Sequence, residues 1–297
     1  MSTEPSSTFN SFSTNNGSFG PKEFLESNSL VAKFSFLLLV LLTFVLLLRV
    51  GVLLLTYYLK PTNSPHLIDG MVPANQQIIF PQDPISNGAV TIHRSDNADG
   101  GVEFTWSVWI FIDSIPNDTN NSGTNDYKHV FSKGNSDISG NGMIEPNNAP
   151  GLYIIRNTND DDNMNTFDSQ TVDLLVVMNT FDSINEEINI PEIPMNKWVN
   201  VIIRCKNTTL DVYISGTIAR SLNLPSVPKQ NYGDVYVAMN GGFQGNISNL
   251  WYYNYALGVV AIQNLVNNGP NNIMINGGAN GSMTSTLNNY LSLRWFN

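Results

Sequence analysis

The sequence predicts an all-β fold, a two-sheet antiparallel sandwich of the jelly-roll kind, preceded by one transmembrane helix. Three observations carry this reading. A 26-residue run over 34–59 holds a single charge, Arg49. Beyond it, short stretches that alternate apolar and polar residues recur with turn signals between them, the pattern of half-buried strands. Only one later segment, 256–266, has helical spacing. Many short strands with almost no helix call for two packed sheets.

Taken in order, residues 1–33 are rich in Ser, Thr, Asn and Gly. They bury too little apolar surface to offset their ordering entropy, so a disordered polar tail is expected. The tail is too polar and too long for a secretory signal, and no small-residue cleavage site follows the apolar run. The run itself, FSFLLLVLLTFVLLLRVGVLLLTYYL, is apolar on every helical face. As a helix it spans about 39 Å, against a hydrocarbon core of about 30 Å. Tyr57 and Tyr58 fall where an interfacial aromatic belt belongs, and Arg49 sits within the span. Arg49 either pairs with an acidic residue of a partner helix or snorkels to the nearer interface. Lys22 and Lys33 before the span, against Lys60 after it, favour a cytoplasmic amino terminus.

Residues 60–88 carry Pro61, Pro65, Pro73, Pro81 and Pro84 and read as a stalk, with a short strand at 77–80. The sandwich is expected over 89–297. Its clearest strand is 103–112, where Phe104, Trp106, Val108, Ile110 and Ile112 face one way. Further strands are expected at 130–132, 151–156, 172–179, 198–205, 210–215, 235–239 and 247–253. Ser215-Gly216 has the look of a hairpin turn. A closing strand is expected at 290–296.

Composition narrows the function. Charged residues make up 13% of the chain, against about 25% in an average soluble domain. Polarity comes instead from 42 asparagines. From Pro61 onward there are 10 basic and 21 acidic residues, a net charge of −11, which repels phosphate backbones and excludes nucleic acid as a partner. One cysteine, Cys205, rules out a disulfide framework within the chain and a Cys-rich zinc site, and its strand position places it in the core. His66, His93 and His129 are too scattered for a histidine metal site.

The order and spacing of several segments resemble the laminin-G-like, concanavalin A-like jelly roll. FTWSVWIFID (104–113) is similar to that family's first long strand, and HVFSKGN (129–135) to the strand and turn after it. IPMNKWVNVIIRCKNTTLDVYISGTIARS (193–221) resembles its Trp-initiated strand, turn and hairpin. GGFQGNISNLWYYNYAL (241–257) resembles its late Gly-Phe-x-Gly-x-Ile strand running into a helix start. PKQNYGDVYVAMNGGFQG (228–245), with YLSLRWF (290–296), is similar to membrane-anchored members encoded by nucleocytoplasmic large DNA viruses. The resemblance implies a virion membrane protein, its amino terminus cytoplasmic or virion-interior. Its partners would be a membrane, and either glycan or capsid and other virion proteins.

This fold includes glycoside hydrolases, which need two carboxyl groups about 5 Å apart for retention. The paired pattern on one strand, such as Glu-x-Asp-x-x-Glu, is absent, and Glu186-Glu187 lies in loop-like sequence, so no catalytic residue is assigned. No cofactor is expected other than calcium, for which the run Asp160, Asp161 and Asp162 could supply oxygen ligands at a loop tip. A hydrated turn accounts for the same residues. Trp109, Phe111, Trp251 and Tyr253 are the candidates for stacking on sugar faces, with core packing as the alternative. Six glycosylation sequons match the number expected by chance from this composition, and Asn117 and Asn120 lie in the most loop-like sequence. The function expected is a membrane-anchored binding module recognising glycan or protein. The alternatives are a minor capsid component that ties an internal membrane to the shell without sugar binding, and, further off, a glycoside hydrolase.

Overall fold

The computed structural model describes residues 30–59, 62–95, 97–98, 101–115, 127–155 and 171–275. The tail through residue 29, Asn117, Asn120, the run Asp160, Asp161 and Asp162, and the closing strand at 290–296 lie outside the described residues.

Helix α1 (Leu30–Leu59) has 30 residues and begins four residues earlier than the sequence pattern suggested, because Leu30 and Val31 carry the apolar run back across Lys33. From Leu30 to Tyr58 its Leu, Val and Phe side chains are exposed around the circumference. Thr43 and Thr56 donate to the carbonyls of Leu39 and Val52, each at 2.8 Å, so neither hydroxyl is left without a partner on that apolar surface. The helix is long and apolar enough to cross a membrane. Arg49 is exposed on it, and Tyr57 and Tyr58 close its last turn with rings 5.5 Å apart.

A second compact unit begins at Pro61. It is an antiparallel β-sandwich of the jelly-roll type. The first sheet runs β1 (His66–Pro73), β13 (Gln244–Tyr253), β4 (Gly101–Ser114), β9 (Trp198–Lys206), β10 (Thr209–Ile214) and β11 (Thr217–Asn223), and the two-residue β3 (Asn97–Ala98) pairs with β4. The second runs β2 (Ile78–Phe80), β12 (Asp234–Val237), β5 (Tyr127–Gly134), β6 (Asn148–Ile155), β7 (Thr171–Met178) and β8 (Glu186–Pro194). The inward residues predicted for β4 are all buried, and Trp106 packs on Phe131 and Tyr252 at ring distances of 5.2 and 4.9 Å. Complete burial of each large aliphatic chain in this core contributes roughly 1.5–3 kcal/mol. Cys205 is fully buried there, and burial pushes its thiol up to about 12.

Three expectations change. The stalk expected over 60–88 is mostly sandwich: β1 pairs with β13 from His66↔Trp251 to Pro73↔Asn246, and β2 pairs with β12. Leu67, Ile68, Val72, Ile78 and Phe80 are all buried. Prolines are compatible with these strands because they lie at the ends of edge strands, where no ladder donor is lost. The segment at Glu186-Glu187 is also a strand, β8, with Ile188, Ile190 and Ile193 inward. Its outward charges suit an exposed edge. The helix expected at 256–266 is α2 (Val259–Asn268). It starts later because the Leu257 N–H donates to Thr105 Oγ1, which itself donates to the Tyr255 carbonyl, each at 3.0 Å.

Candidate functional site

The four aromatic residues singled out as sugar platforms share the outer face of the first sheet. Trp109 and Phe111 alternate outward on β4, and Trp251 of β13 lies opposite outward-facing Ser107. Trp109 and Trp251 border one groove of about 460 Å³ with His66, Asp69, Asn249 and Asn271. The rings, however, largely occupy one another. His66 stacks on Trp251 at 3.7 Å, Trp251 stacks on Tyr253 at 5.9 Å, and Phe111 packs against Trp198 at 5.5 Å. Trp109 is buried. Helix α2 covers the neighbouring surface, where Ile262 and Leu257 pack on Ile202 and Tyr213. Burial holds His66 below the ordinary imidazole range, and Asp69, 3.6 Å away, opposes that shift. Among the described residues, His66 Nε2 is buried without a hydrogen-bond partner, while Asn249 hydrogen-bonds to the ring and opposes the burial shift.

A larger cleft, about 600 Å³, opens between the sheets at one end of the sandwich. Phe104, Trp106 and Tyr252 of the first sheet and Met178 of the second form its inner wall. Its outer wall is made by residues 91–95 and 228–232, which join the two sheets' edge regions. Gln82 fixes the first of these segments, accepting from the Ile92 N–H and donating to the Val90 carbonyl, both at 2.9 Å. The Tyr252 hydroxyl donates to the His93 carbonyl at 2.9 Å.

The cleft collects cations. Arg94, Lys133 and Lys229 line it, and no Asp or Glu stands among its described lining residues. Arg94 Nε donates to Gln230 Oε1 at 3.3 Å, and Nη1 donates to the Tyr232 hydroxyl at 3.4 Å. Gln230 in turn donates to Ser95 Oγ at 2.7 Å. The guanidinium also lies 5.9 Å from the Tyr232 ring centroid, within cation–π range. Lys133 is buried on β5 and donates to the carbonyls of Asn231 at 3.0 Å and Gly233 at 2.7 Å. Asn231 reciprocates by donating to the Lys133 carbonyl at 3.1 Å. Gly233 is required there: a Cβ would stand 2.1 Å from the Gly134 carbonyl oxygen. Burial lowers the Lys133 ammonium to about 8, with Asp234 opposing the shift.

Sequence reasoning missed this cleft, since its three cations come from distant parts of the chain with no shared motif. The only signal available was negative, the scarcity of Lys and Arg. Among the described residues no group of three or more His, Cys, Asp or Glu is close enough to hold a metal ion. The calcium expectation at Asp160, Asp161 and Asp162 and the sequons Asn117 and Asn120 fall outside the described residues.

No protein-family model matches the chain, and no curated protein sequence matches it. Solved structures do resemble it. The binding domain of botulinum neurotoxin DC in complex with rat synaptotagmin II is 16% identical, with a TM-score of 0.36, over 56% of this chain and 36% of that one. The receptor binding domain of the botulinum neurotoxin C/D mosaic serotype is 16% identical, with a TM-score of 0.38, over 57% of this chain and 36% of that one. The chain thus spans about a third of the length of these structures.

Proposed function

We propose that the chain is a single-pass membrane-anchored binding module. Helix α1 spans the bilayer, and a sandwich of the concanavalin A-like, laminin-G-like kind receives its ligand in the cleft at its end. The observation that carries this reading is the donor set of the cleft. Three cations, amides and a tyrosine surround about 600 Å³, a volume suited to a small ligand or a glycan end. Glycoside hydrolysis would call instead for two facing carboxyl groups. The full chain in lipid nanodiscs, applied to a glycan array, is expected to retain a defined set of glycans. Signal lost both on chelation and on joint replacement of Asp160, Asp161 and Asp162 by Asn would support calcium at those residues.

A second reading has its own support. Phe181, Ile184 and Val227 are exposed apolar side chains, and the Phe181 N–H donates to the Val227 carbonyl at 3.3 Å, which sets two apolar loops side by side. Such a patch favours protein contact. In that reading the module ties a membrane to a protein shell, as the viral resemblance implies. Silence on the array, together with co-purification of capsid proteins from virions, would select it.

A further inference from the structure

We propose that the end cleft takes a saccharide bearing a carboxylate, with Arg94 as the fork that receives the carboxylate and Lys133 and Lys229 as flanking charges. This rests on the cleft being the recognition site. The first argument is distribution. Beyond Pro61 the chain has 10 cations among 21 carboxylates, yet three of those cations line one cleft whose described lining holds no carboxylate. An acidic protein that concentrates positive charge in one recess creates a local field opposite to its own net charge.

The second argument is preorganisation. Ser95, which is buried, holds Gln230, and Gln230 and the Tyr232 hydroxyl hold Arg94. These contacts use two of the five guanidinium N–H donors, leaving a planar set suited to both oxygens of a carboxylate. Gln230 is therefore a positioning residue. Among the described residues, Lys133 has two carbonyls as hydrogen-bond partners and no carboxylate within 4 Å. Asp234, which accepts from the Gln82 N–H at 2.8 Å, offsets part of the Lys133 charge, so Arg94 is the principal cation offered to the recess. The third argument is size. The recess is far larger than a bare anion requires, and at its mouth Tyr232 is 80% exposed, the ring there with an open surface for a pyranose.

The test applies the full chain in nanodiscs to an array pairing uronic-acid and sialylated glycans with their carboxyl-reduced counterparts, followed by titration of the best pair. The acidic member is expected to bind about tenfold more tightly. Arg94→Gln should remove that preference, and Lys229→Gln should weaken acidic binding a few-fold. Both side chains are exposed, so unchanged thermal unfolding is expected to accompany the loss. Gln230→Ala should lower affinity for the acidic member several-fold more than for the reduced one. Equal binding of both members, or an Arg94→Gln protein that keeps the preference, overturns the carboxylate assignment and leaves glycan recognition standing. Acetate or sulfate competing at the same concentration as the saccharide would mean a bare anion site and overturns the saccharide assignment. Silence of the whole array overturns both.

Discussion

His129 is fully enclosed. The Met239 N–H donates to its Nδ1 at 3.1 Å, so Nε2 carries the proton and donates to Ser132 Oγ at 2.9 Å. A protonated ring would break the first bond and bury a charge, which is why burial lowers this histidine from 6.5 to about 3. Lys133, under the same influence, falls from 10.5 to about 8. In both cases the unfolded chain binds more protons than the folded one between the two values, so folded stability rises with pH across each window. Stability is therefore expected to climb from pH 3 to 6.5 and from pH 8 to 9. Above pH 9 the buried Cys205 thiol, raised from 9.0 to about 12, keeps a proton in the folded chain that the unfolded chain has lost, and this offsets the Lys133 rise. The His129 share of the acid arm is on the order of 5 kcal/mol. Denaturant titrations at a series of pH values measure the profile, and His129→Gln should shrink the acid arm to the share left by His66, which burial also lowers, without changing the alkaline side. An acid arm of full size in that variant would show that His129 is not its source. Asparagine accounts for much of the remaining polarity at this scale. Among the described residues, four of the seven non-glycine positions with positive φ are Asn, a conformation its short side chain tolerates. Asn148, buried, donates to the Ile144 carbonyl at 2.6 Å and accepts from the Tyr153 hydroxyl at 2.7 Å. The low charge is thus partly a matter of turns and buried networks that need a neutral amide.

Strands were legible in the sequence wherever one face meets the core. The alternation of β4 and the apolar face of β9 and β13 gave their positions within a residue or a few. Edge strands were not. In β1 the register shifts twice, at His66/Ile68 and Ile68/Met71, which breaks the period-2 pattern a reader relies on. The opposite edge of β1 is occupied by the returning chain, with Met71 N donating to the Ile273 carbonyl and Ile275 N to the Met71 carbonyl, each at 2.8 Å. Proline, a bulge and a distant covering segment together look like a stalk when read one residue at a time. The candidate site was less legible still. The outward aromatics could be named from alternation, but their stacking on His66 depends on the β1–β13 pairing, and the three cations meet only through the sandwich topology. One experiment tests the reassigned elements. A fragment of residues 61–297 should unfold cooperatively, while one of residues 89–297 should lose cooperativity and bind a hydrophobic dye, because Ile247 and Val235 would lose their neighbours on β1 and β2. Equal cooperativity of the two fragments would return β1 and β2 to the status of a stalk.

At the scale of the whole molecule, two electrostatic ranges compete. The part of the chain beyond Pro61 carries a net charge of −11, while the cleft presents three cations to anything within a few ångströms. An anionic saccharide approaching from solution meets the net charge first and the cleft last. At about 0.01 M salt the Debye length, about 30 Å, is comparable to the domain, so repulsion by the whole surface slows the approach. At about 0.15 M it shrinks to about 8 Å, and the ligand senses chiefly the patch it faces. Contacts already made in the cleft are weakened by the same salt. Stopped-flow measurement with the carboxylate-bearing glycan should therefore show association and dissociation rates both rising between these two conditions. An acidic ligand steered to a basic surface would instead associate more slowly as salt rises. That second outcome would mean the cleft's field dominates at long range, and the acidity of the surrounding surface would then have no part in how the module meets its ligand. With Arg94→Gln the rise in association should persist and dissociation should already be fast at low salt, since the variant removes a contact and leaves the surrounding field in place.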